Sequence, residues 1–324
     1  MNFRRLGSTG LLVSEVGLGG NNFGWWTDEE TSIPVINHAI SSGINFIDTA
    51  DMYDNGNSEK IIGKAVKGKR AEVIIATKFS STMGDGPNDR GGSRYYIMKA
   101  VEASLKRLQT DYIDLYQMHF KFNNTPIEET LRALDDLVKS GKVRYIGCSN
   151  YAAWELAEAL WTSRANNLHS FATIQPKYNL IERGIEAELI PCCEAYGIGV
   201  IPYSPLAGGF LTGKYQKGKE TSTDGRLTKP SPRDGSLTAN VAGARRFERL
   251  TTEDWNKLAK WEAFAKERNR TVGELAIAWL LSKVVISTVI AGARKIEQVT
   301  ANIAGSDWKL TKEEVDEIEA VTGE

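Results

Sequence analysis

Eight times along this chain a short apolar run, rich in Val and Ile, ends at glycine or a polar residue. Helical patterns alternate with these runs. The runs cover residues 16–20, 44–48, 73–78, 112–118, 143–148, 172–175, 199–203 and 285–290. Helical periodicity starts at Asp28, at Ser58, before Ile97, at Thr125, and at Trp154, and again near residues 186–196, 254–267 and 272–281. Strands separated by helices are joined by crossovers and so pair in parallel. Eight such units without a linker-like break in composition predict a (β/α)8 TIM barrel, one α/β domain spanning residues 1–324. The competing open doubly wound sheet would place a G-x-G-x-x-G turn after the first strand, and Gly17, Gly19 and Gly20 lack that spacing. Ahead of the first unit, Phe3-Arg4-Arg5-Leu6, a Gly7-Ser8-Thr9-Gly10 turn and Leu11-Leu12-Val13 read as a β-hairpin. One connection is unusually long. It runs from Tyr203 nearly to Asp254, and its polar part, 211 to about 249, reads as a lid.

Composition narrows the function mainly by exclusion. A formal net charge of −1 over 324 residues gives no electrostatic reason to bind nucleic acid or an anionic membrane. Neither a signal-like apolar segment at the N-terminus nor a membrane-length run is present, so a cytoplasmic protein is expected. The three cysteines (Cys148, Cys192, Cys193) and three histidines (His38, His119, His169) have no metal-ligand spacing, and no metal is expected. The oligomeric state is not legible.

In a barrel the carboxyl ends of all strands open on one mouth. Asp48, Lys78 and His119 close the second, third and fourth runs, and Tyr53 lies just beyond the second. Alone, Asp48 reads as a turn cap, Lys78 as a surface lysine and His119 as a polar cap. Together they form a chemical unit. An acid keeps a partly buried lysine charged, and a cation beside a phenol favours phenolate, suiting the phenol to general-acid work. A histidine can orient a substrate oxygen towards that phenol. The aromatics Trp25, Trp26, Phe79, Phe120 and Phe122 are read either as an apolar substrate wall or as rim packing.

Several segments in family order resemble the aldo-keto reductases. They are Asp48-Thr49-Ala50-Asp51-Met52-Tyr53 with Ser58-Glu59 and Gly63, Thr77-Lys78, and the run from Asp111 to His119. Further on come Thr125-Pro126-Ile127-Glu128-Glu129-Thr130, the stretch Gly141 to Asn150, and Tyr203-Ser204-Pro205-Leu206. The resemblance runs from Arg5 to about Asn302 and implies a barrel closed below by the hairpin, with NADPH-linked reduction of a small carbonyl substrate. It implies that Tyr53 donates the proton, that Asp48 and Lys78 tune it, and that His119 orients the carbonyl. For the cofactor it implies contacts from Gly20, Asn21 and Asp48, with Ser149, Asn150 and Gln175 on the nicotinamide carboxamide and Tyr203 stacked on the ring. Ser204, Leu206 and Gly208 fall at the pyrophosphate. Gly292, Ala293, Arg294, Gln298 and Asn302 fall at the adenosine end, where Arg294 would read a 2′-phosphate. The chain departs from the family pattern at Phe120-Lys121-Phe122-Asn123, Ala291 and Ala301. The resemblance extends to potassium-channel β-subunits, which act as binding partners and lack the histidine found here at position 119. An alcohol dehydrogenase working mainly in the oxidative direction is a further alternative.

Overall fold

A computed structural model describes residues 1–122, 125–215, 217 and 250–321. The order of elements is β1 (Phe3–Arg5), β2 (Leu12–Ser14), β3 (Val16–Gly19), α1 (Glu29–Ser41), β4 (Phe46–Asp48), α2 (Asn57–Ala65), β5 (Ile74–Phe79), α3 (Arg94–Leu108) and β6 (Ile113–Met118). There follow α4 (Ile127–Lys139), β7 (Val143–Ser149), α5 (Ala153–Ala165), β8 (Thr173–Gln175), α6 (Leu189–Tyr196) and β9 (Gly199–Val200). The chain ends with α7 (Thr252–Glu267), α8 (Val272–Leu281), β10 (Val289–Gly292), α9 (Ile296–Ser306) and α10 (Lys312–Ala320). Eight strands form one parallel sheet in the order β10-β3-β4-β5-β6-β7-β8-β9. The sheet closes where Val200 N–H donates to Val285 O at 2.9 Å, Ser287 N–H to Val200 O at 2.9 Å and Ile290 N–H to Pro202 O at 3.2 Å. This is the (β/α)8 barrel expected from the alternation.

The pleat sorts the barrel interior into layers, because side chains two residues apart on a strand share a face. Phe46, Ile74, Ala76, Leu115, Ile201 and Ile290 form a dry lower layer, and Leu6 and Val13 from the β1–β2 hairpin complete it. The hairpin is pressed close: a Cβ on Gly7 would lie 2.4 Å from Ala172 O, and Gly7 has φ 57°. One pleat step above the apolar layer, the same faces of β4, β5 and β6 carry Asp48, Lys78 and Gln117.

Two readings of the sequence need correction. The last run does not form one strand over 285–290. Val285 and Ser287 pair with Val200, and only from Val289 does the chain pair with β3, so β10 is displaced to Val289–Gly292. As a result, Ala291 and Gly292 close a strand, and the helix beyond Arg294 begins at Ile296. The second correction concerns Phe79, which is fully buried and stacked on Tyr116 at 4.7 Å. It therefore packs core and does not line a substrate wall. Residue Asn123 and most of the lid segment, 216 and 218–249, lie outside the described residues.

Candidate active site

Asp48, Tyr53, Lys78 and His119 meet at the carboxyl end of the barrel, all nine-tenths or more buried. Lys78 is the centre. Its ammonium donates to Asp48 Oδ2 at 2.6 Å, to Thr49 O at 2.8 Å and to the Tyr53 hydroxyl at 3.3 Å. Three donors thus meet three oxygens, the complete capacity of an ammonium. Burial works against the charge on Lys78, but Asp48 and Tyr53 outweigh it and hold the ammonium above the ordinary lysine range. Asp48 is held in turn by Gln175 Nε2 at 2.9 Å and Gln117 Nε2 at 3.4 Å, both donating to Oδ1.

Tyr53 stands between two rings. His119 meets it edge-on, with centroids 5.9 Å apart and planes at 80°, and Trp25 tilts against it at 6.0 Å. His119 is also stacked face to face on Phe120 at 4.4 Å. Its backbone is fixed on both sides, with N–H donating to Phe79 O at 2.9 Å and O accepting from Asn150 Nδ2 at 3.1 Å. Phe120 is pinned by Ser80, whose hydroxyl accepts from Phe120 N–H and donates to Phe120 O, each at 3.0 Å.

The rest of the rim continues from β7 to β10. Ser149 Oγ donates to Gln175 O at 2.6 Å, Asn150 Nδ2 donates to Ser149 Oγ at 3.0 Å, and the Tyr203 hydroxyl donates to Asn150 Oδ1 at 2.9 Å. Ser149, Asn150, Gln175 and Tyr203 thus form one connected patch beside the tetrad. After Tyr203 the backbone turns left-handed at Ser204 (φ 57°), Ala207 (φ 47°), Gly208 (φ 69°) and Gly209 (φ 97°). Such stretches gather successive N–H groups into anion-binding concavities. On the other side, a Cβ on Gly20 would lie 2.8 Å from Asp48 O, and one on Gly292 would lie 2.9 Å from Asn22 Nδ2 and 3.8 Å from Asn21 Oδ1. Arg294 is half-buried, its guanidinium carbon 5.9 Å from the Trp26 ring centroid, and its N–H donates to Gln298 Oε1 at 2.7 Å. Asn302 lies on α9, buried.

Sequence reasoning missed Gln117 and the Thr49 carbonyl. The first carried a signal, since Gln117 follows Leu115 on the inward face of β6. The second did not, because a backbone oxygen's partner is set only by how two strands pair.

The model of the aldo/keto reductase family matches residues 15–322. An uncharacterized oxidoreductase, YrpG, of Bacillus subtilis is 41% identical over 97% of this chain and 93% of its own length. A probable voltage-gated potassium channel subunit beta of Oryza sativa subsp. japonica is 37% identical, over 99% of this chain and 96% of its own. A versiconal hemiacetal acetate reductase of Aspergillus parasiticus is 36% identical, over 98% and 96% respectively. The fold, the family match and these nearly end-to-end similarities agree: the chain belongs to the aldo/keto reductase family and is an oxidoreductase of that family.

Proposed function

We propose that this chain is an NADPH-dependent reductase of small aldehydes or ketones. The observation that carries the reading is the buried Lys78 ammonium, bonded at once to Asp48 and to the Tyr53 hydroxyl. Tyr53 O–H gives its proton to the carbonyl oxygen as that oxygen gains negative charge. Lys78 stabilises the phenolate left behind, and Asp48 keeps Lys78 charged where water is excluded. His119, held by Phe120 and Asn150, orients the carbonyl. NADPH, when bound, supplies the hydride.

The residues present fit such a cofactor. Ser149, Asn150 and Gln175 offer the hydroxyl and amides that a carboxamide needs, and Tyr203 offers a ring beside them. The left-handed stretch through Ser204, Ala207, Gly208 and Gly209, together with Leu206, suits a pyrophosphate. Gly20, Asn21, Gly292, Ala293, Arg294, Gln298 and Asn302 complete the remaining contacts, with Arg294 reading the 2′-phosphate. We place the protein in the cytoplasm as a single-domain enzyme acting on a small molecule, with neither nucleic acid nor membrane as partner. Its near-zero net charge supports the expectation of neither nucleic acid nor an anionic membrane surface as partner. Among the described residues, no helix is long and apolar enough to cross a membrane.

The test is a panel of aldehydes, quinones, keto-sugars and bulky ketones followed by NADPH absorbance, with Tyr53→Phe as control. That variant should keep NADPH binding and lose roughly 10²–10⁴ in kcat. Wild-type kcat in Tyr53→Phe would remove Tyr53 from the mechanism. The similarity to a potassium channel subunit beta supports a second reading, a nicotinamide-binding regulatory subunit. NADPH binding with no turnover across the panel would favour it. Faster turnover of alcohols with NADP+ than of carbonyls with NADPH would favour a dehydrogenase.

A further inference from the structure

The turn that carries Tyr53 is a strained piece of backbone held from several sides. Asp54 (φ 49°) and Asn55 (φ 51°) are left-handed, and Gly56 (φ 85°) follows them. Non-glycine residues in that region are strained, Asp and Asn least among them, so surrounding contacts must fix the shape. Some of these contacts extend the β4–β5 ladder, with Thr49 N–H donating to Ala76 O at 2.8 Å and Asp51 N–H to Lys78 O at 3.1 Å. Another is Ser81 Oγ, which donates to Met52 Sδ at 3.0 Å.

Asp51 lies in the middle of this turn, and its exposure is only 1%. The charged and titratable groups that act on it are Glu59 from α2, Arg107 and Tyr96 from α3, and Tyr116 from β6. Arg107 is already committed, its Nε donating to Glu59 Oε2 at 2.6 Å, while Thr77 Oγ1 donates to Glu59 Oε1 at 2.6 Å. The Tyr96 hydroxyl lies 2.9 Å from Ser81 O and 3.5 Å from Asp51 Oδ2. A phenol has one proton, and a carbonyl can only accept. The proton therefore goes to Ser81, and Asp51 can bond Tyr96 only by bringing a proton of its own. Burial, with Glu59 beside it, holds the Asp51 carboxyl well above the usual carboxylate range, against the weaker pulls of Arg107, the Met52 N–H and the long contact with Tyr96.

We propose that Asp51 is a positioning residue for Tyr53 and works as a neutral acid. Its O–H donates to Tyr96, Tyr96 donates to the Ser81 carbonyl, and this chain ties the Tyr53 turn to α3 so that the phenol meets Lys78. The inference rests on Tyr53 being the proton donor.

The test compares Asp51→Asn, Asp51→Ala and Tyr96→Phe with wild type in kcat, KM for the carbonyl substrate, NADPH Kd and thermal midpoint from pH 5 to 9. Asn donates a hydrogen bond as the neutral acid does, and should keep kcat within about threefold. Ala should lose roughly ten- to a hundredfold in kcat with NADPH Kd unchanged, the scale of a small misplacement of a reacting group. Tyr96→Phe should fall on the same side as Ala. The folded acid keeps a proton that the unfolded chain releases, so wild-type stability should fall as pH rises across this range relative to Asp51→Asn. Asn as impaired as Ala would show that a negative charge is needed. Wild-type kcat in Asp51→Ala and Tyr96→Phe would remove the positioning role. If Asp51→Ala does not fold, Asn against Tyr96→Phe decides the matter. Should Tyr53→Phe prove fully active, the donor assignment fails, while the pH-dependent stability difference still reads the protonation of Asp51.

Discussion

Replacing Lys78 with methionine removes one charge from the most buried ion pair in the site and leaves the other behind. Lys78 is fully buried, and the Asp48 side chain is 4% exposed. Breaking such a pair costs about 3–5 kcal/mol, because the surviving charge keeps its desolvation penalty without its partner. Asp48 would retain the amide donors of Gln175 at 2.9 Å and Gln117 at 3.4 Å, which places the expected loss near the lower end, about 3 kcal/mol at pH 7. The loss also depends on pH. Lys78 is held above the ordinary 10.5, so its contribution is complete below that value. It is lost as pH rises through the folded-state value, and the gap narrows. Adding Asp48→Asn to Lys78→Met removes the stranded charge and should restore most of the lost stability. Urea unfolding of wild type, both single variants and the double variant at pH 7, 9 and 11 measures this as a double-mutant cycle. A loss below about 1 kcal/mol at pH 7, or a double variant no more stable than Lys78→Met, would refute the reasoning. Kinetically, without the cation that favours phenolate the Tyr53 phenol keeps its proton to higher pH, so the alkaline decline in the residual activity of Lys78→Met should set in at higher pH than in wild type. Identical profile shapes would mean that Lys78 only supports structure.

Other expectations follow from the rim and the outer shell. Arg294→Ala should weaken NADPH roughly ten- to a hundredfold while hardly affecting NADH, because a charge-assisted bond to a 2′-phosphate is worth about 1.5–3 kcal/mol. Dissociation constants for both cofactors on both proteins check this, and an equal loss for the two would show that Arg294 does not read the phosphate. Asp135 bonds Lys139 and His169, and although burial opposes them, these partners lower its carboxyl to about 2. Its contribution to stability is therefore present above the unfolded carboxylate range and lost as pH falls towards 2. Asp135→Asn should destabilise at pH 7 and be nearly silent near pH 2, as read by chemical unfolding at the two pH values.

The sequence by itself determined the barrel and the four side chains that close its second to fourth units. Alternating apolar runs and helical patterns leave few topologies, and in this one a residue ending a strand faces the mouth. The pleat carried more than was read from it. With Lys78 facing the interior, Phe79 next to it must face the helices, and Gln117 must share the inward face of Leu115. The tertiary structure alone decided what depends on pairing between distant segments. The run at 285–290 splits because Val200 takes Val285 and Ser287 while β3 takes Val289 onward, and no local preference distinguishes those two partners. The same holds for the third bond of Lys78, to Thr49 O, and for the neutral acid inferred at Asp51, which arises from burial under other elements with Glu59 of α2 beside it. A strand's period is written in its own residues, but the charge and hydrogen bonds of a buried group are set by which other segments pack around it.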